Sequence, residues 1–174
     1  GFMKPILIGC PFDNGIRSML RFKRGVTGAW QAPHTILPQV AQAVPKIMLD
    51  VARWQSPIPD SDDRVGLQQQ RQDTAEAHAF IQQQLTHWVR EGWWPLSIGG
   101  DHSLTYPLCA GVSRAQTEPL GLVYMDAHLD MRPFESMLGV DGIISSGNSF
   151  RRLIEDGIIA GSRMIVIGIK QSSS

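Results

Sequence analysis

Two short motifs concentrate the residue types that hold divalent cations: Gly99-Gly100-Asp101-His102-Ser103 and Asp126-Ala127-His128-Leu129-Asp130. Imidazole nitrogens beside several carboxylates suit manganese, iron, cobalt or zinc, and the oxygen-rich balance leans toward manganese. In extended chain, residues i, i+2 and i+4 share one face, so the second motif would aim Asp126, His128 and Asp130 at a common point. His102 would add a ligand from a neighbouring element, and Gly99 and Gly100 let the backbone turn tightly there. The alternative is that Asp126 and Asp130 cap the next element and His128 is an ordinary half-buried histidine. The presence of both motifs weighs against it, because gathering three carboxylates and two imidazoles at one place is costly without a compensating cation.

The elements that must position these groups alternate. Lys4 to Cys10, Lys46 to Trp54, Trp93 to Ile98, Leu120 to Met125 and Met164 to Ile169 are short apolar runs bounded by Gly, Pro or Asp, the pattern of buried strands. Val65 to Arg90 places Leu67, Ala75, Ala79, Leu85 and Val89 among polar residues at helical spacing and stops at Gly92. Weaker helical stretches run from Pro33 to Ala43, Leu104 to Ser113 and Phe150 to Asp156, with loops from Pro11 to Pro33 and from Gln55 to Asp63. Strand and helix in alternation predict an α/β domain with a parallel sheet covered on both faces. Ligands in such sheets collect beyond the carboxyl ends of the strands, where both motifs fall.

A chain of 174 residues fits one domain, 1–174. Sixteen basic residues balance sixteen acidic ones, which gives no long-range field toward nucleic acid or a charged membrane surface. No apolar run approaches the ~20 residues of a membrane span. Cys10 and Cys109 lie far apart and outside any paired metal-ligand spacing, which suits a reducing, cytoplasmic setting and two buried thiols. A nucleotide-binding reading is weak, because no G-x-G-x-x-G run follows the first strand.

The GGDHS and DAHLD segments resemble the first two metal-binding signatures of the ureohydrolase family, which includes arginase, agmatinase and formimidoylglutamase. Gly9-Cys10-Pro11 and the stretch from Arg24-Gly25 to Pro33 resemble, more loosely, its first strand and substrate-side loop. The resemblance implies a three-layer αβα sandwich with a mainly parallel sheet, and two Mn2+ ions. By it, His102, Asp126 and Asp130 hold one ion, His128 and Asp126 the other, and Asp126 bridges them. Asp130 would also orient the metal-activated water that attacks the C=N carbon of a small amidine or guanidino substrate, with Asp101 in a positioning role. Ser146-Gly147-Asn148-Ser149-Phe150 sits where arginases and agmatinases have a His-Gly-Thr-Pro-Phe-like segment, which makes Ser146 and Asn148 candidate substrate contacts.

Two departures shape the expectation. Ser146 replaces a histidine thought to move a proton to the leaving amine, and a serine hydroxyl cannot do that near neutral pH as imidazole can. Ser145-Ser146-Gly147 and Asp130-Met131-Arg132 are closer to formimidoylglutamase, so a formimidoylglutamate-like substrate is favoured, with Arg132 pairing its carboxylate. A solvated surface arginine is the other reading of Arg132. The family's third signature, an S-x-D-x-D-x-x-D-P-like run with two more aspartate ligands, is absent, so the C-terminal part of the fold is expected to be missing and catalysis impaired. A homo-oligomer is expected, and the competing reading is a non-catalytic metal-binding module that oligomerises through uncovered surface.

Overall fold

The computed structural model describes residues 4–20, 26–40 and 42–170. Its centre is β1 (Lys4–Cys10), preceding a short helix α1 (Asn14–Leu20). Next come α2 (Ala32–Ile36), continued as a 3-10 turn over Leu37–Gln39, and then β2 (Lys46–Met48). The long helix α3 (Arg64–Arg90) leads into β3 (Trp93–Gly99), and the sheet order is β2-β1-β3 with every pairing parallel.

The next helix, α4 (Thr105–Ala115), is followed by β4 (Leu122–Met125) and an antiparallel hairpin, β5 (Glu135–Met137) with β6 (Val140–Ile143). Helix α5 (Ser149–Glu155) then returns the chain to β7 (Met164–Ile167), which pairs in parallel with β4.

Alternation along β1 sorts its side chains between two layers. Ile6, Ile8 and Cys10 pack with Ala77, Ile81 and Leu85 of α3 and with Leu104, Leu108 and Val112 at α4. Gly9 faces the other way, where a Cβ would meet Met48 and Leu37. The strand is therefore covered on both sides, and Ile6 to Cys10 are buried. Helix α3 starts where the Asp63 carboxylate accepts the Gly66 N–H at 2.8 Å. Tyr124 and Leu122 of β4 pack on Phe150, Leu153 and Ile159. The opposite face of β4 and β7 is open: Val123, Met125, Ile165 and Ile167 are exposed.

Several boundaries depart from the sequence expectation for identifiable reasons. The expected strand to Trp54 ends at Met48; Leu49 and Val51 are buried but irregular, and Ala52–Trp54 form a 3-10 turn whose indole donates to Glu76. The helix expected to reach Ala43 stops earlier, with Val40 already extended. The loop after Pro11 contains α1, a helix too short for periodicity to reveal, fixed by tertiary contacts of its buried Asn14. The β5–β6 hairpin turns through Leu138 and Gly139, both at positive φ (51° and 75°). Such turns are usually signalled by Asn-Gly, and here leucine takes the first left-handed position. Cys10 and Cys109 are free thiols, and burial pushes them up to about 12 and about 11.

Candidate metal centre

The GGDHS segment leaves the carboxyl end of β3 against the end of β1. The Gly100 N–H donates to the Cys10 carbonyl at 3.1 Å and the Asp101 N–H to the Phe12 carbonyl at 3.3 Å. A Cβ on Gly100 would lie 2.0 Å from that Phe12 oxygen, which is backbone and cannot swing aside. Gly100→Ala is therefore expected to cost about 1–3 kcal/mol or more by forcing the two strand ends apart. Urea denaturation checks this, and an unchanged midpoint would contradict the close approach.

Beyond this contact, Asp101 caps the 3-10 turn His102–Leu104. Its Oδ1 accepts the Ser103 N–H at 2.8 Å and the Ser103 hydroxyl at 2.5 Å, and its Oδ2 accepts the Ile16 N–H of α1 at 2.7 Å. Burial pushes the Asp101 carboxyl up to about 6, while the hydrogen bonds from Ser103 and Ile16 pull the other way. All of these interactions are made within the protein, so Asp101 shapes the turn that carries His102.

The DAHLD segment is not extended. Strand β4 stops at Met125, bends follow at Ala127 and His128, and Asp130 takes a left-handed conformation at φ 47°. The bend is pinned: Asp126 N–H donates to Ile167 O at 3.0 Å, Lys170 N–H to Ala127 O at 3.1 Å, and the Tyr124 hydroxyl to Leu129 O at 3.3 Å. Positive φ on a residue other than glycine costs energy and persists where the surroundings fix it, often at functional sites.

The outcome is a compact group. Ligand atoms of His102, Asp126 and Asp130 all lie within 4.8 Å of one another. His102 Nδ1 is 2.5 Å from Asp130 Oδ2 and 3.3 Å from Asp126 Oδ2. The hydrogen bond to Asp130 raises the His102 pKa most, burial opposes it, and the charges of Asp130 and Asp126 add to the rise. Two carboxylates around one imidazole suit a divalent cation in donor type, and the three side chains stand close enough for one ion to reach them all. His128 stands outside this trio: its side chain is 65% exposed, and its Nδ1 lies 3.7 Å from Asp126 Oδ1. The convergence predicted from strand alternation thus arises instead from a bent loop, and it brings together Asp126 and Asp130 but not His128.

The remaining candidates divide. Arg132 is exposed and its N–H donates to Gly147 O at 3.0 Å, which ties it to the Ser145–Asn148 turn. Ser146 Oγ is buried with no hydrogen-bond partner among the described residues. Asn148 is 1% exposed; its Oδ1 accepts the Ser145 N–H at 3.2 Å and its Nδ2 donates to Ile143 O at 2.9 Å. With one bond at each end of its amide to backbone, Asn148 closes a capping box and is fixed within the Ser145–Asn148 turn. Arg24 and Gly25 lie outside the described residues.

Residues that were not candidate site residues complete the floor. The Phe150 ring stacks on Tyr124 at 3.6 Å and meets His102 edge-on at 5.1 Å, and the Ser149 hydroxyl donates to His102 O at 2.7 Å. In sequence, Ser149 and Phe150 end the Ser146–Phe150 segment, and Tyr124 lies in the apolar run before DAHLD, with nothing to show that they meet at His102.

A family model described as the arginase family matches residues 3–174. Mitochondrial agmatinase of Gallus gallus is 41% identical over 85 residues, 49% of this chain and 24% of that protein. Formimidoylglutamase of Halalkalibacterium halodurans is 32% identical over 104 residues, 59% of this chain and 31% of that protein. The crystal structure of Bacillus subtilis formimidoylglutamase superposes with a TM-score of 0.70 at 25% identity, covering 99% of this chain and 50% of that one. A Trypanosoma cruzi formiminoglutamase structure described as containing Mn2+ shares the fold, with a TM-score of 0.68 over 98% of this chain and 54% of that one. The chain therefore spans about half the length of its structural relatives. The fold is the expected one, with a mainly parallel sheet, and the match over nearly the whole chain shows that it belongs to the arginase family.

Proposed function

We propose that the chain binds Mn2+ through His102, Asp126 and Asp130 and belongs to a metal-dependent hydrolase of C–N bonds in linear amidine or guanidino compounds. The observation that carries this is the convergence of those three side chains within 4.8 Å at neighbouring strand ends. Bound manganese would supply Lewis acidity and lower the pKa of a water molecule enough to make it a nucleophile near neutral pH. Asp126 stands between His102 and His128 and is the residue able to serve two ions. Among the described residues only Asp126 and His128 are placed for the second ion, so its affinity is expected to be the weaker and turnover slow. Asp130, fixed in its left-handed turn against His102, would hold and orient a proton of the attacking water.

A formimidoylglutamate-like substrate is favoured over arginine. Arg132 projects beside the Ser145–Asn148 turn, where its planar fork would pair a substrate carboxylate. The buried Ser146 hydroxyl leaves that turn without a group that titrates near neutral pH, in keeping with a leaving nitrogen that needs little proton transfer. Assays of the manganese-loaded chain with formimidoylglutamate, agmatine and arginine test the preference. Formamide release from the first should exceed urea release from the others, and faster urea release would overturn it.

Proton and cation compete for the same nitrogen. His102 is protonated more readily than an ordinary histidine because Asp130 and Asp126 surround it, and Mn2+ needs the neutral ring. Affinity should therefore rise about tenfold per pH unit while pH stays below the raised His102 pKa, then level off above it. Calorimetry in buffers of different ionisation enthalpy should show proton release on binding, whereas affinity that stays flat between about pH 6 and about pH 8 would contradict His102 as a ligand.

A second reading, association of copies through the open face of β4 and β7, rests on the exposure of Val123, Met125, Ile165 and Ile167. Sedimentation of Met125→Lys distinguishes the two: a parent dimer that becomes a monomer supports association, and a monomeric parent excludes it.

A further inference from the structure

Behind the turn that carries His102 lies a buried polar chain that the metal-site reading leaves unused. His78, in the middle of α3, is 3% exposed and presents an edge to Phe12 with ring centroids 6.2 Å apart. Its Nδ1 lies 3.2 Å from Nη1 of Arg152, and its Nε2 lies 3.4 Å from Ser103 Oγ. Arg152, on α5, is 9% exposed and stacks its guanidinium 3.8 Å from the centre of the Tyr106 ring, whose hydroxyl donates to Asp156 at 2.6 Å. Among the described residues no carboxylate is in ion-pairing distance of Arg152.

The direction of these bonds follows from what each group can do. A guanidinium only donates, so His78 Nδ1 must accept and carry no proton. The imidazole is then neutral, its proton sits on Nε2, and that N–H donates to Ser103 Oγ. The hydroxyl gives its single proton to the carboxylate, which can only accept, at Asp101 Oδ1 2.5 Å away. Burial and the Arg152 charge both hold the His78 ring neutral. Four side chains thus form one hydrogen-bonded chain from a buried cation on α5 to a half-buried carboxylate beside His102.

We propose that His78 and Arg152 are positioning residues for the metal ligand His102: Arg152 fixes the tautomer of His78, and His78 orients Ser103 so that Ser103 and Asp101 lock the turn projecting His102. This rests on the metal-centre reading above. Outer-sphere partners of this kind commonly carry about 10–100-fold in metal affinity. His78→Leu ends the chain at Ser103 and leaves Arg152 without its acceptor. His78→Gln keeps both functions, since its carbonyl can accept from Arg152 while its NH2 donates to Ser103. Ser103→Ala cuts the same chain with almost no change of volume.

The test combines Mn2+ titration of the 174-residue chain with imidazole nitrogen NMR of the metal-free protein. Expected are His78 protonated at Nε2, a loss of Mn2+ affinity of about 10–100-fold in His78→Leu and Ser103→Ala, and recovery in His78→Gln. In the metal-free chain, the His102 ring signals should shift or broaden in the first two variants and not in the third. Circular dichroism identifies a variant that fails to fold, in which case Ser103→Ala carries the comparison. A parent that binds no Mn2+ would overturn the metal reading alone, because the His102 signals still report the positioning. A His78 proton on Nδ1, or His102 signals and affinity unmoved in both disrupting variants, would overturn the inference.

Discussion

Asp126→Ala should abolish measurable Mn2+ binding, a loss of more than about 100-fold, because even outer-sphere partners account for about 10–100-fold. Asp126 is the carboxylate placed next to both imidazoles, 3.3 Å from His102 Nδ1 and 3.7 Å from His128 Nδ1. The variant loses one local bond, from the His128 N–H to Asp126 Oδ1 at 2.9 Å, but keeps the Asp126 N–H to Ile167 O anchor, so it should fold. His128→Ala should cost far less, since His128 is 65% exposed and outside the three-residue cluster. Isothermal titration of the two variants measures the difference. Equal losses would mean that His128 swings inward to share the ion, and no loss in Asp126→Ala would remove the site from DAHLD altogether.

Phe150→Ala carries the largest expected effect on stability. The side chain is fully buried at the junction of α5, β4 and the His102 turn, stacked on Tyr124 and touching the His102 ring edge-on. Removing a phenyl ring from such a place costs about 3–5 kcal/mol, and little can collapse into the space because Tyr124 is held by its bond to Leu129 O. The same cavity would free the His102 ring, so Mn2+ affinity should fall along with stability. Phe150→Leu, which conserves most of the volume, should recover most of both. Urea unfolding followed by tryptophan fluorescence gives the stability change. A loss below about 1 kcal/mol would show that the core around Leu153 and Ile159 is complete without the ring.

GGDHS and DAHLD announced themselves because each follows an apolar run, and the structure puts both at the carboxyl ends of parallel strands. Donor types were readable; directions were not. Alternation holds only in extended chain, but the pairing of β4 with β7 ends at Met125, and the bend that follows depends on distant partners such as Ile167 and Lys170. His128 therefore lies to the side. The place of Asn148 in a motif does not disclose that its amide also bonds the backbone of Ser145 and Ile143 and so holds the turn.

Tertiary context hid the rest. Helix α1 is seven residues long with Asn14, Gly15 and Ser18 buried, a polar composition that reads as loop until Trp54, Thr74 and Ile144 supply its partners. His78 lies on an amphipathic helix whose pattern says nothing of its partners; only folding reveals that it faces Arg152 and Ser103, 74 and 25 residues away. Long helix α3 and the principal strands were visible because their patterns are local, and local patterns decide element type better than they decide contacts.

The most direct test of the central claim is a Mn2+ titration of the 174-residue chain at neutral pH, followed by electron paramagnetic resonance and calorimetry together. Expected are one well-defined ion bound with proton release, a weaker second ion, and loss of the first in Asp126→Ala. A parent chain that binds no Mn2+, or binds it equally well without Asp126, would contradict the assignment of His102, Asp126 and Asp130 as a metal centre.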